Sequence, residues 1–198
     1  MIDNSTKLNI STDAPLAGMQ CYQQPFLSVY LSDCTTLMRT FNDKQFDLAI
    51  VDPPYGIGIN VSMGRRKGDK KSKYHKFAGN DNETPTAEYF NELFRVSNNQ
   101  IVWGGNYMIE NLTPSPCWLM WDKGFSEDVT FAQFELAWTS FKTAVRMFTW
   151  RWNGMLQQNM KNKQDRIHPT EKPVDVLIEI IQANNGDLII DPFAGSGS

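Results

Sequence analysis

The sequence has few cysteines, no long apolar run and no excess of positive charge. Three cysteines in 198 residues, without metal-ligand spacing, argue against a disulfide framework or a metal centre and are typical of a reducing cytoplasm. No stretch approaches the roughly 18 apolar residues of a membrane span, and residues 1–20 lack the basic start and apolar segment of a secretory signal. The net charge of −3 excludes a uniformly basic surface. We therefore expect one cytoplasmic domain over residues 1–198, since domains hold roughly 100–200 residues.

A buried strand is the clearest structural signal. Hydrophobic residues make up 41% of the chain, and the apolar run Leu48–Val51 stops abruptly at Asp52, where two prolines follow. Continuous apolar runs suit a parallel sheet covered by helices on both faces, so the pattern predicts the α/β class. The predicted strands cover residues 26–34, 46–51, 100–107, 117–122, 134–141, 145–152 and a segment leading into 191, and the predicted helices cover 35–41, 85–97 and 174–183.

Two of these apolar runs end in an aspartate followed by a chemically distinctive turn. Asp52-Pro53-Pro54-Tyr55 combines a carboxylate acceptor, a rigid main-chain carbonyl and an aromatic ring, an array that matches an amino group on a planar heterocycle. The alternative is a strand that simply ends at prolines. The second turn, residues 191–197, contains a Gly-x-Gly, which lets backbone approach a ligand closely but also occurs in ordinary strand-to-helix turns.

Together these motifs resemble those of amino-group DNA methyltransferases that use S-adenosylmethionine. Residues 52–56 resemble the catalytic motif, residues 191–197 the cofactor motif, and residues 168–173 the segment that precedes it. This order is that of the permuted beta group of adenine-N6 enzymes, and cytosine-N4 enzymes usually carry Ser at position 52. The resemblance implies a Rossmann-like sheet with permuted strand order, mostly parallel with an antiparallel portion. It also implies DNA methylation, as in restriction-modification.

The resemblance implies a role for each matching residue. Asp52 and the Pro53 carbonyl would accept the two N–H groups of adenine N6, Pro54 would keep the turn rigid, and Tyr55 would stack on the flipped base. Asp33 would bind the cofactor adenine, although capping of the next helix is an equal alternative. Lys172 and Thr170 would reach the methionine carboxylate. The remaining cofactor-binding candidates are Asp191, Phe193, Gly195 and Gly197.

A basic segment interrupts the apolar patterning. Residues 60–80 hold seven Lys and Arg against one Asp, a local charge of +6 that leaves −9 for the rest of the chain. Such a run predicts a mobile loop, over residues 60–82, that contacts the phosphates of double-stranded DNA. The alternative is a solvated, disordered segment. The residues assigned to nucleic-acid binding are Arg65, Arg66, Lys67, Lys70 and Lys71.

Other interpretations stay open at this point. The sequence ends at Ser198, where the family would continue with a helix and a strand bearing a ribose-binding acidic residue, so we expect a truncated fold that binds S-adenosylmethionine weakly. A non-catalytic nucleic-acid-binding remnant is therefore one alternative, and a methyltransferase acting on RNA or a protein amide is another. A homodimer is also open. Pro116-Cys117 is interpreted as a buried thiol and not as a cytosine-C5 nucleophile, because no activating group lies beside it.

Overall fold

The computed structural model describes residues 20–58, 81–124, 132–153, 156–163, 171–184 and 186–195. The helices in these ranges are α1 (Cys34–Met38), α2 (Ala87–Val96) and α3 (Val174–Asn184). The strands are β1 (Gln20–Gln24), β2 (Leu27–Leu31), β3 (Phe46–Val51), β4 (Ser97–Trp103), β5 (Trp118–Asp122), β6 (Phe134–Thr139), β7 (Arg146–Thr149), β8 (Trp152–Asn153), β9 (Leu156–Gln157) and β10 (Ile189–Ile190).

The central element is a six-stranded sheet with the order β10-β3-β4-β6-β5-β7. The pairs β10–β3, β3–β4 and β5–β7 are parallel, whereas β6 is antiparallel to both of its neighbours. Five of the six strands therefore run in one direction. This arrangement confirms the predicted α/β class with a mostly parallel sheet and an antiparallel portion. It also places β10, the last strand in chain order, beside β3.

Strand β3 is apolar throughout because the sheet is covered on both faces. Leu48 and Ile50 pack in a core cluster that includes residues of α3. Ala49 and Val51, on the opposite face, pack in a second cluster with residues of α2. Burial of both faces removes the alternation of polar and apolar residues that a half-exposed strand would show. The two clusters thus fix the direction in which β3 delivers the residue that follows it.

The predicted elements differ from the structure mainly at their ends. The strand predicted for residues 100–107 begins earlier and stops at Trp103, because Gly104 takes a left-handed conformation and residues 105–107 form a 3-10 turn. The strand predicted for 145–152 is also wrong at its ends, since β7 covers only four residues. The strand predicted for 26–34 shortens to β2, which pairs with β1 in a separate hairpin. The predicted basic loop falls almost wholly on residues 59–80, outside the described part of the chain.

Gly104 allows the ring of Tyr55 to lie against the backbone at the end of β4. Its φ is +66°, and a Cβ built on it would lie 2.2 Å from a carbon of the Tyr55 ring. Gly58 offers a matched comparison, because its φ is +63° while no described atom lies within 4 Å of the added Cβ. The two positions therefore share the backbone requirement, and the close approach is particular to Gly104.

We predict that Gly104→Ala lowers the free energy of unfolding more than Gly58→Ala. Left-handed backbone costs a non-glycine residue about 1–2 kcal/mol, and overpacking should add about 1–3 kcal/mol at position 104 alone. Urea denaturation of the two variants measures the difference. Equal losses would show that the Tyr55 ring does not occupy the space beside Gly104.

Candidate active site

The candidate site lies at the edge of the sheet where its parallel strands end. Asp52 follows β3, Gly104 follows β4, and Asp191 follows β10. Since these three strands are parallel neighbours, their carboxyl ends meet at the same edge, where open α/β sheets bind ligands. Pro53 and Pro54 terminate β3 because proline cannot donate to the ladder. The sheet thus brings together the two motifs that the sequence analysis singled out.

The Asp52 carboxylate is held by two side chains. Its Oδ1 accepts a hydrogen bond from the Tyr55 hydroxyl at 2.8 Å, and its Oδ2 accepts one from Lys172 Nζ at 2.5 Å. The Asp52 side chain remains 34% exposed, whereas that of Lys172 is 7% exposed. The carboxylate is therefore fixed from the protein side and remains accessible from the solvent side.

Lys172 has more than one partner for its ammonium group. Its Nζ lies 3.2 Å from Glu135 Oε2 and 3.4 Å from the Tyr55 hydroxyl oxygen, and it sits 5.0 Å from the centroid of the Trp103 ring. Burial opposes the charged form, but the carboxylates of Glu135 and Asp52 outweigh it and raise the pKa of Lys172. The lysine is therefore a cation. Its predicted contact with a methionine carboxylate stays a prediction, because the ammonium is already occupied by these two carboxylates.

Sequence reasoning missed Glu135, which lies on β6. This carboxylate pairs with Lys123 as well as with Lys172. Desolvation opposes its ionisation, but the two ammonium groups prevail and lower the pKa of Glu135 to about 2. Its position depends on the register of β6 against β5, in which Glu135 pairs with Trp121. The available signal was a charged residue inside an otherwise apolar strand.

Tyr55 is fixed at its ring, its hydroxyl and its backbone. The ring stacks on Tyr107, with centroids 5.2 Å apart and planes inclined by 17°, and the Tyr55 N–H donates to Asp81 Oδ1 at 2.8 Å. Desolvation and the nearby Asp52 and Glu135 raise the pKa of Tyr55 well above its ordinary value. The hydroxyl therefore stays protonated and donates to Asp52. The sequence analysis gave Tyr55 only a stacking role and did not anticipate this bond.

The turn after β10 lies next to the Asp52 cluster. Asp191 Oδ1 accepts a hydrogen bond from the Phe193 N–H at 2.9 Å. Although Asp191 is partly open to solvent, desolvation raises its pKa to about 6, and it feels the charges of both Asp52 and Lys172. The Phe193 ring packs on Tyr89 at a centroid distance of 5.1 Å. Gly195 adopts a φ of +54°, a left-handed conformation that suits glycine.

The remaining predicted residues fall into two groups. Asp33 caps α1, because its Oδ1 accepts a hydrogen bond from the Thr36 N–H at 2.8 Å. This is the structural alternative left open above, and its contact with a cofactor stays a prediction. Cys117 is 2% exposed, in keeping with a buried thiol. The residues that lie outside the described part of the chain are Arg65, Arg66, Lys67, Lys70, Lys71, Thr170 and Gly197.

Within the described ranges, no helix has the length and apolar character needed to cross a lipid bilayer.

Comparison with known proteins gives consistent matches. The family model for the N6/N4 methyltransferases, described as DNA methylase, matches residues 118–198, which include Lys172 and Asp191 but not Asp52. The Type II methyltransferase M2.MboI of Moraxella bovis is 23% identical over 86% of this chain and 76% of its own length. YubD of Escherichia coli K12, named as a methylase, is 26% identical over 84% of this chain and 74% of its own length.

A solved structure is also similar. The structure of TTHA0409 from Thermus thermophilus, titled as a DNA modification methylase complexed with S-adenosyl-L-methionine, matches with a TM-score of 0.46 and 13% identity, over 84% of this chain and 80% of that one. The family model and the two sequence relatives agree with the strand-end motifs that the fold brings together. The chain belongs to the N6/N4 family of DNA methyltransferases.

Proposed function

We propose that this chain transfers the methyl group of S-adenosylmethionine to the N6 amino group of adenine in DNA. The observation that carries the proposal is the Asp52 carboxylate, fixed by Tyr55 and Lys172 at the carboxyl end of β3 and partly open to solvent. The family match and the relatives named as methylases support the reaction class. Asp at position 52 favours adenine over cytosine as the target base.

The residues of this chain supply acceptors for the target amino group. An aromatic amine is a poor nucleophile because its lone pair is delocalised into the ring. Asp52 and the Pro53 carbonyl would accept its two N–H bonds, which draws the nitrogen toward a tetrahedral geometry and localises the lone pair. Positioning and fixed charges of this kind account for much of enzymatic rate enhancement. A carboxylate held at two points needs little reorganisation before it receives the amine.

The turn after β10 fits the methyl donor. Asp191 and the backbone around Gly195 lie at the edge where a polar nucleoside would bind, and Phe193 offers a ring beside them. The hydroxyl of Tyr89, which packs on Phe193, is buried and has no hydrogen-bond partner among the described residues. An unused polar atom in this position is consistent with a ligand that completes the site. When bound, S-adenosylmethionine supplies an electrophilic methyl group on its sulfonium.

Double-stranded DNA is the proposed form of the substrate. The adenine would have to leave the duplex, because its N6 edge is inaccessible within the base stack. The basic residues between 65 and 71 would neutralise phosphates, which the acidic remainder of the chain cannot do. If so, neutralising Arg65, Arg66, Lys67, Lys70 and Lys71 should flatten the salt dependence of DNA affinity by up to about 0.9 per lost contact. An unchanged slope would place the cationic surface elsewhere.

We predict that the chain converts adenine to N6-methyladenine in unmethylated DNA and that Asp52→Asn abolishes this activity. The substitution keeps the shape of the side chain but replaces one acceptor oxygen with a donor and removes the charge. Mass spectrometry of the nucleosides, after incubation with isotopically labelled S-adenosylmethionine, identifies the product. Asp43→Asn is the matched control, because Asp43 is an exposed aspartate whose partner is Arg95.

Three results would contradict this proposal in different ways. N4-methylcytosine as the product would retain the chemistry and change the base. Methylated RNA or protein in place of DNA would change the substrate class. Full activity of Asp52→Asn would remove Asp52 from the mechanism.

Tyr55 should contribute through both its hydroxyl and its ring. We expect Tyr55→Phe to lower kcat roughly fivefold, because the hydrogen bond to Asp52 contributes about 1 kcal/mol. Tyr55→Ala should lose considerably more, since base stacking is worth about 1–3 kcal/mol. Methyl transfer kinetics measure both effects, with Tyr107→Phe as a control that keeps the stacked ring pair. Equal losses in the Phe and Ala variants would rule out a separate contribution from the ring.

A further inference from the structure

Glu135 is a charged side chain at the site for which the proposed reaction has no use. It lies on β6, the antiparallel strand of the sheet, and its Oε1 is paired with Lys123. Its Oε2 is buried and makes no hydrogen bond within the described residues, yet it lies 3.2 Å from Lys172 Nζ. A buried carboxylate oxygen that is almost, but not fully, engaged requires an explanation.

One ammonium group is shared between two carboxylates. Lys172 Nζ lies 2.5 Å from Asp52 Oδ2 and 3.2 Å from Glu135 Oε2. The two carboxylates and the two lysines, Lys172 and Lys123, balance one another in charge. Lys123 also holds Glu135 from the other side. The cluster is therefore a chain of alternating charges that ends at Asp52.

This arrangement presents a problem for the proposed reaction. Both oxygens of Asp52 are engaged in the free protein, one by the Tyr55 hydroxyl and one by Lys172. An ammonium group at 2.5 Å competes with an incoming amino group for Asp52 Oδ2 and weakens it as an acceptor. Lys172 cannot simply withdraw, because its side chain is buried and an unpaired buried ammonium is strongly destabilising.

We propose that Glu135 is a positioning residue that receives the Lys172 ammonium when the target amino group binds Asp52. The inference rests on the proposed function. As the contact to Asp52 lengthens, the contact to Glu135 shortens, so Lys172 keeps a counter-charge throughout. Lys123 keeps Glu135 in place during this exchange. No bond is made or broken in this step, which changes only how one cation is shared.

A double-mutant cycle in thermal unfolding tests the sharing without any need for turnover. Asp52→Asn and Glu135→Gln each leave Lys172 one carboxylate, whereas the double variant leaves none. We therefore expect the double variant to lose more in Tm than the sum of the two single losses. In a Lys172→Met background the excess should vanish. Glu88→Gln, at an exposed ion pair with Arg39, serves as the surface control. Additive losses in the Lys172 protein would overturn the proposal.

Kinetics test the transfer of the ammonium itself. Glu135→Gln should lower kcat for methyl transfer at least tenfold, because Lys172 then stays on Asp52, while KM for S-adenosylmethionine changes little. The same substitution in the Lys172→Met background should change kcat less than twofold. Glu135→Asp, which keeps the charge, should recover part of the loss. If Lys172→Met does not fold, this recovery decides, and a Glu135→Asp variant no better than Glu135→Gln overturns the proposal.

The two failures can be told apart. Absence of methyl transfer by the unsubstituted, folded protein would contradict the proposed function and, with it, the transfer step. Normal methyl transfer combined with additive thermal losses would contradict only the role of Glu135. A purely structural Glu135, acting as the counter-charge of Lys123, would lower Tm independently of Lys172 and of Asp52.

Discussion

The buried ammonium group of Lys172 is the interaction on which the site depends. It connects three parts of the chain that are distant in sequence: the turn after β3, the antiparallel strand β6 and the segment that leads into α3. Removing one partner from a buried ion pair costs about 3–5 kcal/mol, because the other charge is left without compensation. The geometry around Asp52 is therefore maintained by the same charges that keep this corner of the fold intact, and local stability and acceptor placement are coupled.

The sheet topology explains why two motifs far apart in the sequence act on one site. β10 pairs with β3 in parallel, so the turn that carries Asp191 emerges beside the turn that carries Asp52. β4 ends next to them at Gly104, where the absence of a side chain admits the Tyr55 ring. Antiparallel β6 then brings Glu135 toward Lys172. Each strand contributes one group at its end or along its inner face, and the helices on both faces of the sheet fix its position.

Much of this arrangement could be predicted from local patterns, and the remainder depends on pairing between strands. The apolar run of β3 and its Pro-Pro stop predicted both the strand and the place of Asp52, and the periodicity of α2 and α3 was equally clear. The end of β4 was wrong because the left-handed Gly104 gives no periodicity signal. Glu135 was missed because its neighbour across the sheet depends on register. Lys172 was assigned to a ligand carboxylate, since nothing in the sequence brings it to Asp52.

A crystal structure with target-containing DNA and sinefungin, an unreactive analogue of S-adenosylmethionine, tests the central claim most directly. The distances from Lys172 Nζ to Asp52 Oδ2 and to Glu135 Oε2 are the quantities to compare with 2.5 Å and 3.2 Å in the free protein. The account predicts that adenine N6 donates to Asp52 and that Lys172 Nζ moves closer to Glu135 than to Asp52. An unchanged Lys172–Asp52 contact, with the target amino group bound elsewhere, would contradict it.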